Sequence, residues 1–277
     1  MEPILEVRDL HVRFATPRGE VHAVRGVGFG VGREKVGIVG ESGSGKSMTG
    51  RAILRITPRG CRTSAARIAL GAENLLAASE RRMREIRGRR VSMILQDPRF
   101  SLNPVMRVGD QVAESYLVHH RASKREARER ALDMFSQVRI REPRRVYDLY
   151  PHEVSGGMGQ RIMIAMMLIP EPAILIADEP TSALDVTVRT QVLAILDDLV
   201  TRRGLGLLFI SHDLNLVSTF CDRVLVMYAG RIVEECLAAD LENARHPYTR
   251  GLLESMPRLD APRERLPVLK RDPAWLE

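Results

Sequence analysis

Eight consecutive residues have the types and the spacing that are needed to hold phosphate. Residues 40–47 match the phosphate-loop pattern GxxxxGK[ST]. Glycines let backbone N–H groups turn inward around a phosphate, and the following helix would present its positive N-terminal end. Lys46 is expected to reach the β- and γ-phosphates, and the Ser47 hydroxyl to coordinate Mg²⁺. The predicted nucleotide-binding residues are Gly40, Glu41, Ser42, Gly43, Ser44, Gly45, Lys46 and Ser47.

A pair of carboxylates later in the chain supplies a second half of the same chemistry. Residues 174–177 form an apolar run that ends directly before Asp178 and Glu179. Asp178 is expected to orient the coordination shell of Mg²⁺, and Glu179 to polarise an attacking water molecule. An acidic pair at a strand end is common in proteins, so this pair carries weight only beside a phosphate loop. Together the two motifs predict hydrolysis of a nucleoside triphosphate.

The elements that must position these groups alternate between strand and helix. Strands are predicted at 4–14, 21–31, 36–39, 173–177, 205–210 and 224–228, and helices at 48–56, 160–168, 186–200 and 214–221. This order predicts an α/β fold whose mainly parallel sheet is covered on both faces. Residues 80–146 are rich in Arg and Glu, and the helical spacing of Ala127, Ala131, Leu132, Phe135 and Val138 indicates a helical insertion. After Glu235 the pattern weakens, and repeated prolines argue against a long packed core.

Composition excludes several classes of protein. The 277 residues carry 42 Lys and Arg against 35 Asp and Glu, a formal net charge of +7, but aromatic residues are only 4% and do not interleave with the arginines. A stacking platform for single-stranded nucleic acid is therefore poorly supported, and a solvated basic face is favoured. Three dispersed cysteines argue against a disulfide scaffold or a zinc site. Without a bilayer-length apolar run or a secretory signal, we expect a soluble cytoplasmic chain that meets a membrane only through a partner.

One segment points to a family. Residues 154–161, Val-Ser-Gly-Gly-Met-Gly-Gln-Arg, resemble the signature of the ATP-binding cassette (ABC) ATPases. Three residues follow the family's order of a Q-loop glutamine, a D-loop aspartate and a switch histidine: Gln96, Asp185 and His212. Phe14 falls where the family keeps an aromatic residue against adenine. The resemblance covers roughly residues 4–235. It implies a P-loop NTPase fold, an ABC ATPase cassette with a mainly parallel core sheet, an N-terminal antiparallel β region and a helical insertion at about residues 97–160.

The resemblance also implies how the site residues act. Glu179, His212 and Gln96 would be catalytic, with His212 contacting the γ-phosphate and Gln96 sensing Mg²⁺ together with Ser47 and Asp178. The signature residues would complete the ATP site of a second chain that meets this one head to tail, since a signature cannot reach its own phosphate loop. ATP would close the pair and hydrolysis would release it. The signature residues so assigned are Ser155, Gly156, Gly157 and Gln160.

Three further segments are similar to the ATPases of oligopeptide, dipeptide and nickel importers: residues 96–106, 177–188 and the tail at 246–253. The implied extension covers 236–277, after a cassette at 1–235. The implied partners are two integral membrane permease subunits, a second ATP-binding subunit and an extracytoplasmic solute-binding protein, with no nucleic acid. The implied location is peripheral, on the cytoplasmic face of the inner membrane.

Three residues depart from the usual pattern of this subclass. Gly159 stands where arginine is usual, and Arg33 and Cys236 stand where glycine is usual. If those two glycine positions require φ > 0, each substitution carries strain of about 1 kcal/mol.

Other functions are compatible with parts of the sequence. The same subclass imports nickel and other small solutes. A soluble ABC ATPase acting on nucleic acid or ribosomes is less well supported, since there is one phosphate loop and no sustained heptad run. A scaffold that does not hydrolyse ATP is the third alternative.

Overall fold

The protein is described by a computed structural model covering residues 3–17, 19–96, 101–182 and 184–256, together with Asp272 and Trp275. It divides into two compact units: residues 1–4 with 77–208, here the first unit, and residues 5–76 with 209–277, the second unit. The boundary at residues 208 and 209 falls within one strand. Parts of the predicted insertion (97–100) and extension (257–271), and Ala183 beside the predicted D-loop aspartate, lie outside the described residues.

An antiparallel sheet opens the second unit. Strand β1 pairs with β2 along one edge and with β4 and β5 along the other, and β6 pairs with β5. The alternating pattern of β1 directs Leu5, Val7 and Val12 into the core, where each is at most 1% exposed. Its strands are β1 (Leu5–Thr16), β2 (Gly19–Val31), β4 (Cys61–Ser64), β5 (Arg67–Leu70) and β6 (Glu73–Asn74).

The second unit also contains the strand that leads into the phosphate loop. Strand β3 (Lys35–Val39) pairs in parallel with β10 (Arg223–Tyr228), and β11 (Arg231–Leu237) pairs antiparallel with β10. The C-terminal half of β9 (Gly206–Ser211) lies on the other side of β3. Its helices are α1 (Lys46–Ile53), α8 (Leu214–Phe220) and α9 (Pro247–Glu254), with a 3₁₀ turn at Ala238–Asn243.

The first unit combines a parallel strand pair with helices. Strand β7 (Val91–Ile94) pairs in parallel with β8 (Ile174–Asp178), which lies next to the first half of β9. All residues of β7 and β8 are buried, as expected of strands with both faces covered. Its helices are α2 (Glu80–Ile86), α3 (Val108–Leu117), α4 (Lys124–Gln137), α5 (Pro143–Tyr147), α6 (Gly156–Leu168) and α7 (Val186–Arg203), with a 3₁₀ turn at Pro151–Glu153.

The predicted fold class is confirmed, but several elements were missed. Strand β7 lies within the Arg-rich segment interpreted as helical, because a four-residue apolar run gives no periodicity. Strands β4 to β6 are two to four residues long, too short to show an alternation of apolar and polar residues. Strand β11 is largely solvent-accessible, so it has no buried apolar face that its sequence could reveal. Helix α6 begins at Gly156, four residues earlier than predicted, because the Ser155 hydroxyl caps it.

Some arginines on the surface of the first unit form ion pairs with nearby glutamates. Helix α2 carries ion pairs from Arg82 to Glu85 at 2.8 Å and from Arg87 to Glu80 at 2.5 Å, and in α4 Arg125 pairs with Glu129 at 3.1 Å. Such exposed pairs contribute little stability each, but they agree with a solvated basic face. None of the helices in the described ranges has the length and apolar character that crossing a bilayer requires.

A close contact in the first unit gives a stability prediction. A Cβ added at Gly109 of α3 would lie 2.1 Å from Cγ of Tyr147. The ring cannot retreat easily, because its hydroxyl donates to Asp110 Oδ1 at 2.9 Å and the Arg128 guanidinium lies 4.1 Å over its face. We expect Gly109→Ala to lower the free energy of unfolding by about 1–3 kcal/mol, as overpacking does.

Denaturant unfolding followed by circular dichroism measures this change. The matched variant Gly156→Ala also adds one methyl group at a helical glycine, but among the described residues no atom outside its own helix backbone and its chain neighbours lies within 4 Å of that Cβ. We expect that variant to be as stable as the original chain or slightly more so. Equal stability of Gly109→Ala and Gly156→Ala would contradict the contact.

Candidate functional site

The phosphate loop follows β3 directly, and its glycines are required by the backbone around them. Gly43 and Gly45 have φ of +83° and +103°, in the left-handed region that favours glycine. A Cβ at Gly45 would lie 2.4 Å from the carbonyl oxygen of Ala23, and one at Gly40 would lie 2.1 Å from that of Met227. The loop is therefore packed against backbone at Gly40 and Gly45, where a side chain has no room, whereas Gly43 is required only by its φ.

The side chain of Lys46 is folded into its own loop. It is 5% exposed, and its ammonium Nζ donates to the carbonyl oxygens of Gly40 and Glu41, each at 2.7 Å. The Glu41 carbonyl also accepts from Ser44 N at 3.2 Å. These bonds hold a desolvated positive charge at the N-terminus of α1, where the helix dipole favours an anion.

The other site residues predicted in the second unit lie on separate elements. Ser47 is in the first turn of α1. Phe14 is half-buried in β1, opposite Val21 of β2. His212 is exposed directly after β9, before Asp213, whose carboxylate caps α8 by accepting from Leu216 N at 3.0 Å. The histidine is thus at the carboxyl end of a strand, as predicted.

In the first unit, Gln96 and Glu179 are brought together although 83 residues separate them. The Gln96 amide Nε2 donates to Glu179 Oε2 at 3.1 Å. Asp178, the last residue of β8, is 1% exposed, whereas Glu179 is half-buried and has φ of +47°, which is rare for a residue other than glycine. The carbonyl of Glu179 accepts from both N and Oγ of Ser182, at 3.3 and 3.2 Å, so this backbone conformation is supported.

The signature segment opens helix α6. Ser155 is exposed, and its Oγ accepts from Met158 N at 3.3 Å. Gly156 faces open space, whereas a Cβ at Gly157 would lie 2.6 Å from Val188 of α7. Gln160 is only 2% exposed, and its Nε2 has no hydrogen-bond partner among the described residues. Ser155 and Gly156 can therefore contact a ligand from outside the unit, whereas the Gln160 side chain is directed into the interior.

The predicted D-loop aspartate has a structural role of its own. Asp185 is the N-cap of α7, and its Oδ1 accepts from Val188 N at 3.0 Å. This cap fixes the start of α7 beside the signature segment.

The signature segment and the start of α7 line a cavity of about 490 Å³ that sequence reasoning missed. Three arginines also line it: Arg139, Arg141 and Arg161. Burial lowers the pKa of the Arg161 guanidinium, and the positive charges of Arg139 and Arg141 lower it further. The sequence shows that residues 80–146 are rich in arginine, but it does not show that Arg139 and Arg141 face the signature.

Two departures from the subclass pattern carry no backbone strain. Arg33 and Cys236 are not among the described residues with positive φ, so the strain considered for them is absent. Gly159 lies buried in α6 and its N–H donates to the Ser155 carbonyl at 2.8 Å, as an ordinary helical residue does.

Comparison with known proteins decides the family. The ABC transporter family matches residues 24–182. The chain belongs to the ABC transporter family. The family of oligopeptide/dipeptide transporter C-terminal regions matches residues 234–277, so the tail of this ABC protein matches a second, separate family.

Curated relatives agree with this membership. A probable peptide ABC transporter ATP-binding protein of Sinorhizobium fredii is 51% identical over 257 residues, which are 92% of this chain and 77% of that protein. A dipeptide transport ATP-binding protein of Bacillus subtilis is 47% identical, over 94% of this chain and 78% of its own. A probable D,D-dipeptide transport ATP-binding protein of Escherichia coli is 45% identical, over 97% and 83%.

Solved structures agree with the fold. An ATP-binding cassette solved as a dimer in a post-hydrolysis state with ADP and Pi superposes with a TM-score of 0.76 at 24% identity, covering 84% of this chain and 98% of that one. A cassette from Clostridium perfringens, part of an ABC transporter complex, has a TM-score of 0.73 at 26% identity, covering 88% and 92%. The predicted ABC cassette fold is confirmed.

Proposed function

We propose that this ABC protein is the ATP-hydrolysing, energy-coupling subunit of an importer for peptides. The observation that carries the hydrolytic part is the hydrogen bond between Gln96 and Glu179, which holds a carboxylate and an amide at the end of β8. The substrate class is supported by the oligopeptide/dipeptide match at residues 234–277 and by the peptide and dipeptide relatives.

We propose a role for each group in turn. The loop N–H groups and Lys46 bind the phosphates, and the Lys46 ammonium exchanges its carbonyl partners for β- and γ-phosphate oxygens. Phe14 contacts adenine. Glu179 polarises the attacking water as general base, with Gln96 orienting its carboxylate. His212 contacts the γ-phosphate and stabilises charge that develops there.

The cofactor we propose is Mg²⁺ bound with ATP. Ser47, Gln96 and Asp178 offer a hydroxyl, an amide oxygen and a carboxylate, which are the hard oxygen ligands that Mg²⁺ prefers. Because Mg²⁺ is usually held by one or two carboxylates together with substrate phosphates and water, a set with one carboxylate and two neutral oxygens fits it. The ion would neutralise charge on the phosphate oxygens.

The assembly we propose follows from the signature. Ser155 and Gly156 are exposed at the N-terminus of a 13-residue helix, so they are suited to bind the γ-phosphate of ATP held by a second cassette. That second cassette is a copy of this chain or a sibling. We further propose two permease subunits, a solute-binding protein, a peripheral position on the cytoplasmic face of the inner membrane, and the division into a cassette (1–235, with a helical subdomain at about 97–160) and an extension (236–277).

Reconstitution tests this function. The chain is co-expressed with the permeases and the second cassette proposed for it and is placed in proteoliposomes with the proposed binding protein. We expect ATP hydrolysis to rise, and labelled di- or oligopeptide to accumulate, only when binding protein and ATP are both present. Accumulation of Ni²⁺ instead of peptide would contradict the substrate class. Salt-sensitive recovery with ribosomes or DNA in place of membranes would contradict the transport role.

A further inference from the structure

A carboxylate on β11 anchors the start of the tail helix α9. Glu234 Oε1 accepts from Arg245 N at 2.6 Å, and the same carboxylate accepts from His246 N at 3.3–3.4 Å. The His246 ring then caps α9, since its Nδ1 accepts from Tyr248 N at 3.2 Å. These bonds fix the backbone at the start of α9 and therefore the point from which the Tyr248 side chain projects.

The Tyr248 side chain is completely buried in an aromatic cluster. It is 0% exposed, and its ring centroid lies 4.4 Å from that of Tyr228 and 6.1 Å from that of Trp275. Tyr228 is the last residue of β10, directly after Met227, whose carbonyl faces Gly40 of the phosphate loop. The cluster therefore lies beside the loop within the second unit.

The hydroxyl of Tyr248 is bonded to the loop itself. It accepts from the backbone N–H of Glu41 at 3.1 Å, across 207 residues of sequence. The carbonyl of the same residue accepts from the Lys46 ammonium at 2.7 Å. The Tyr248 hydroxyl and the Lys46 ammonium are thus bonded to the N–H and to the carbonyl of the same residue, Glu41.

We propose that Tyr248 is a positioning residue for the phosphate loop, through which the C-terminal segment sets the affinity of its own chain for ATP. The inference deepens the proposed function and rests on it, because it presumes that the loop binds ATP. With the Glu41 N–H bonded to Tyr248 and the Glu41 carbonyl bonded to Ser44 N at 3.2 Å, the entry to the loop is ordered before nucleotide arrives. Binding then costs less conformational entropy.

The variant Tyr248→Phe tests this by removing the hydroxyl and leaving the ring. Tyr228→Phe is the matched control, because it removes a hydroxyl from the same cluster and leaves the bond to Glu41 intact. In titrations of the full chain with a fluorescent ATP analogue, we expect Tyr248→Phe to raise Kd about fivefold, the factor that one neutral hydrogen bond corresponds to. Tyr228→Phe should bind as the original chain does.

Kinetics in the reconstituted transporter separate positioning from general packing. Tyr248→Phe should raise KM for ATP by a similar factor with kcat unchanged, because the hydroxyl touches no reacting atom. A fall in kcat and in the melting temperature with KM unchanged would overturn the positioning role, as would identical Kd values for the two variants. In either case normal ATP binding by the original chain leaves the proposed function standing, whereas its absence refutes that function.

Hydrogen exchange of the unsubstituted chain keeps the test decisive if Tyr248→Phe folds poorly. The Glu41 amide is expected to exchange slowly before any nucleotide is added, because it is bonded to a buried hydroxyl. Exchange of that amide at the rate of an unstructured peptide would overturn the inference.

Discussion

Replacing Glu179 with glutamine is expected to lower ATP turnover by about 10²–10⁴-fold, the contribution of a positioned general base. Glutamine keeps the size of the side chain and can still accept a hydrogen bond from Gln96. In the unsubstituted chain, Gln96 Nε2 lies 3.1 Å from Glu179 Oε2. What it loses is the ability to take a proton from water. ATP binding should persist, so ATP should accumulate in a closed pair of cassettes that cannot reset.

Steady-state hydrolysis by the assembled complex measures the turnover, and size-exclusion chromatography with MgATP measures the trapped pair. The matched control is Glu171→Gln. Glu171 also has a left-handed backbone, with φ of +60°, but it lies outside the site and is exposed after α6. That control should hydrolyse ATP normally. Turnover that survives Glu179→Gln would falsify the assignment of the base.

Gly45→Ala is expected to remove ATP binding almost completely. Its Cβ would lie 2.4 Å from the Ala23 carbonyl and 2.8 Å from Met227 Cε, and the backbone oxygen cannot move aside as a flexible side chain can. The φ of +103° adds strain for any residue with a Cβ. We expect the loop to shift, the affinity for ATP to fall about 100-fold or more, and the free energy of unfolding to fall by about 1–3 kcal/mol.

Calorimetric titration with MgATP and denaturant unfolding measure the two effects. Gly60→Ala separates clash from strain, since Gly60 also has a left-handed φ, +84°, but no atom of the described residues beyond its chain neighbours lies within 4 Å of its Cβ. That variant should lose about 1 kcal/mol of stability and keep its affinity for ATP. Equal affinity in Gly45→Ala and Gly60→Ala would show that the loop does not need the close approach described.

What could be predicted from sequence is chemistry that is local in the chain. The phosphate loop is encoded within residues 40–47, and its glycines are interpretable because their backbone requirement is local. The start of β8 was also readable from a short apolar run. In the same way, the helical spacing of Ala127, Ala131 and Phe135 corresponds to a face of α4 that is 0% exposed.

What could not be predicted depends on contacts between distant residues. Tyr248 belongs to a segment whose prolines argued against packing, yet its ring is buried and its hydroxyl reaches Glu41. Nothing in the sequence indicates that Arg139 faces the signature rather than solvent. Gln160 was grouped with its exposed neighbours because the family motif includes it, but the helical turn directs its side chain inward.

Trp275 is an intrinsic fluorescent probe of the C-terminal segment. It is the only tryptophan in the sequence. Its ring centroid is 5.9 Å from that of Tyr228 and 6.1 Å from that of Tyr248. Emission excited at the red edge of the protein spectrum, where tyrosine does not absorb, therefore originates from this one side chain beside Tyr228 and Tyr248. Motion of the tail can be followed in unlabelled material, within the complete transporter if the companion subunits are made tryptophan-free.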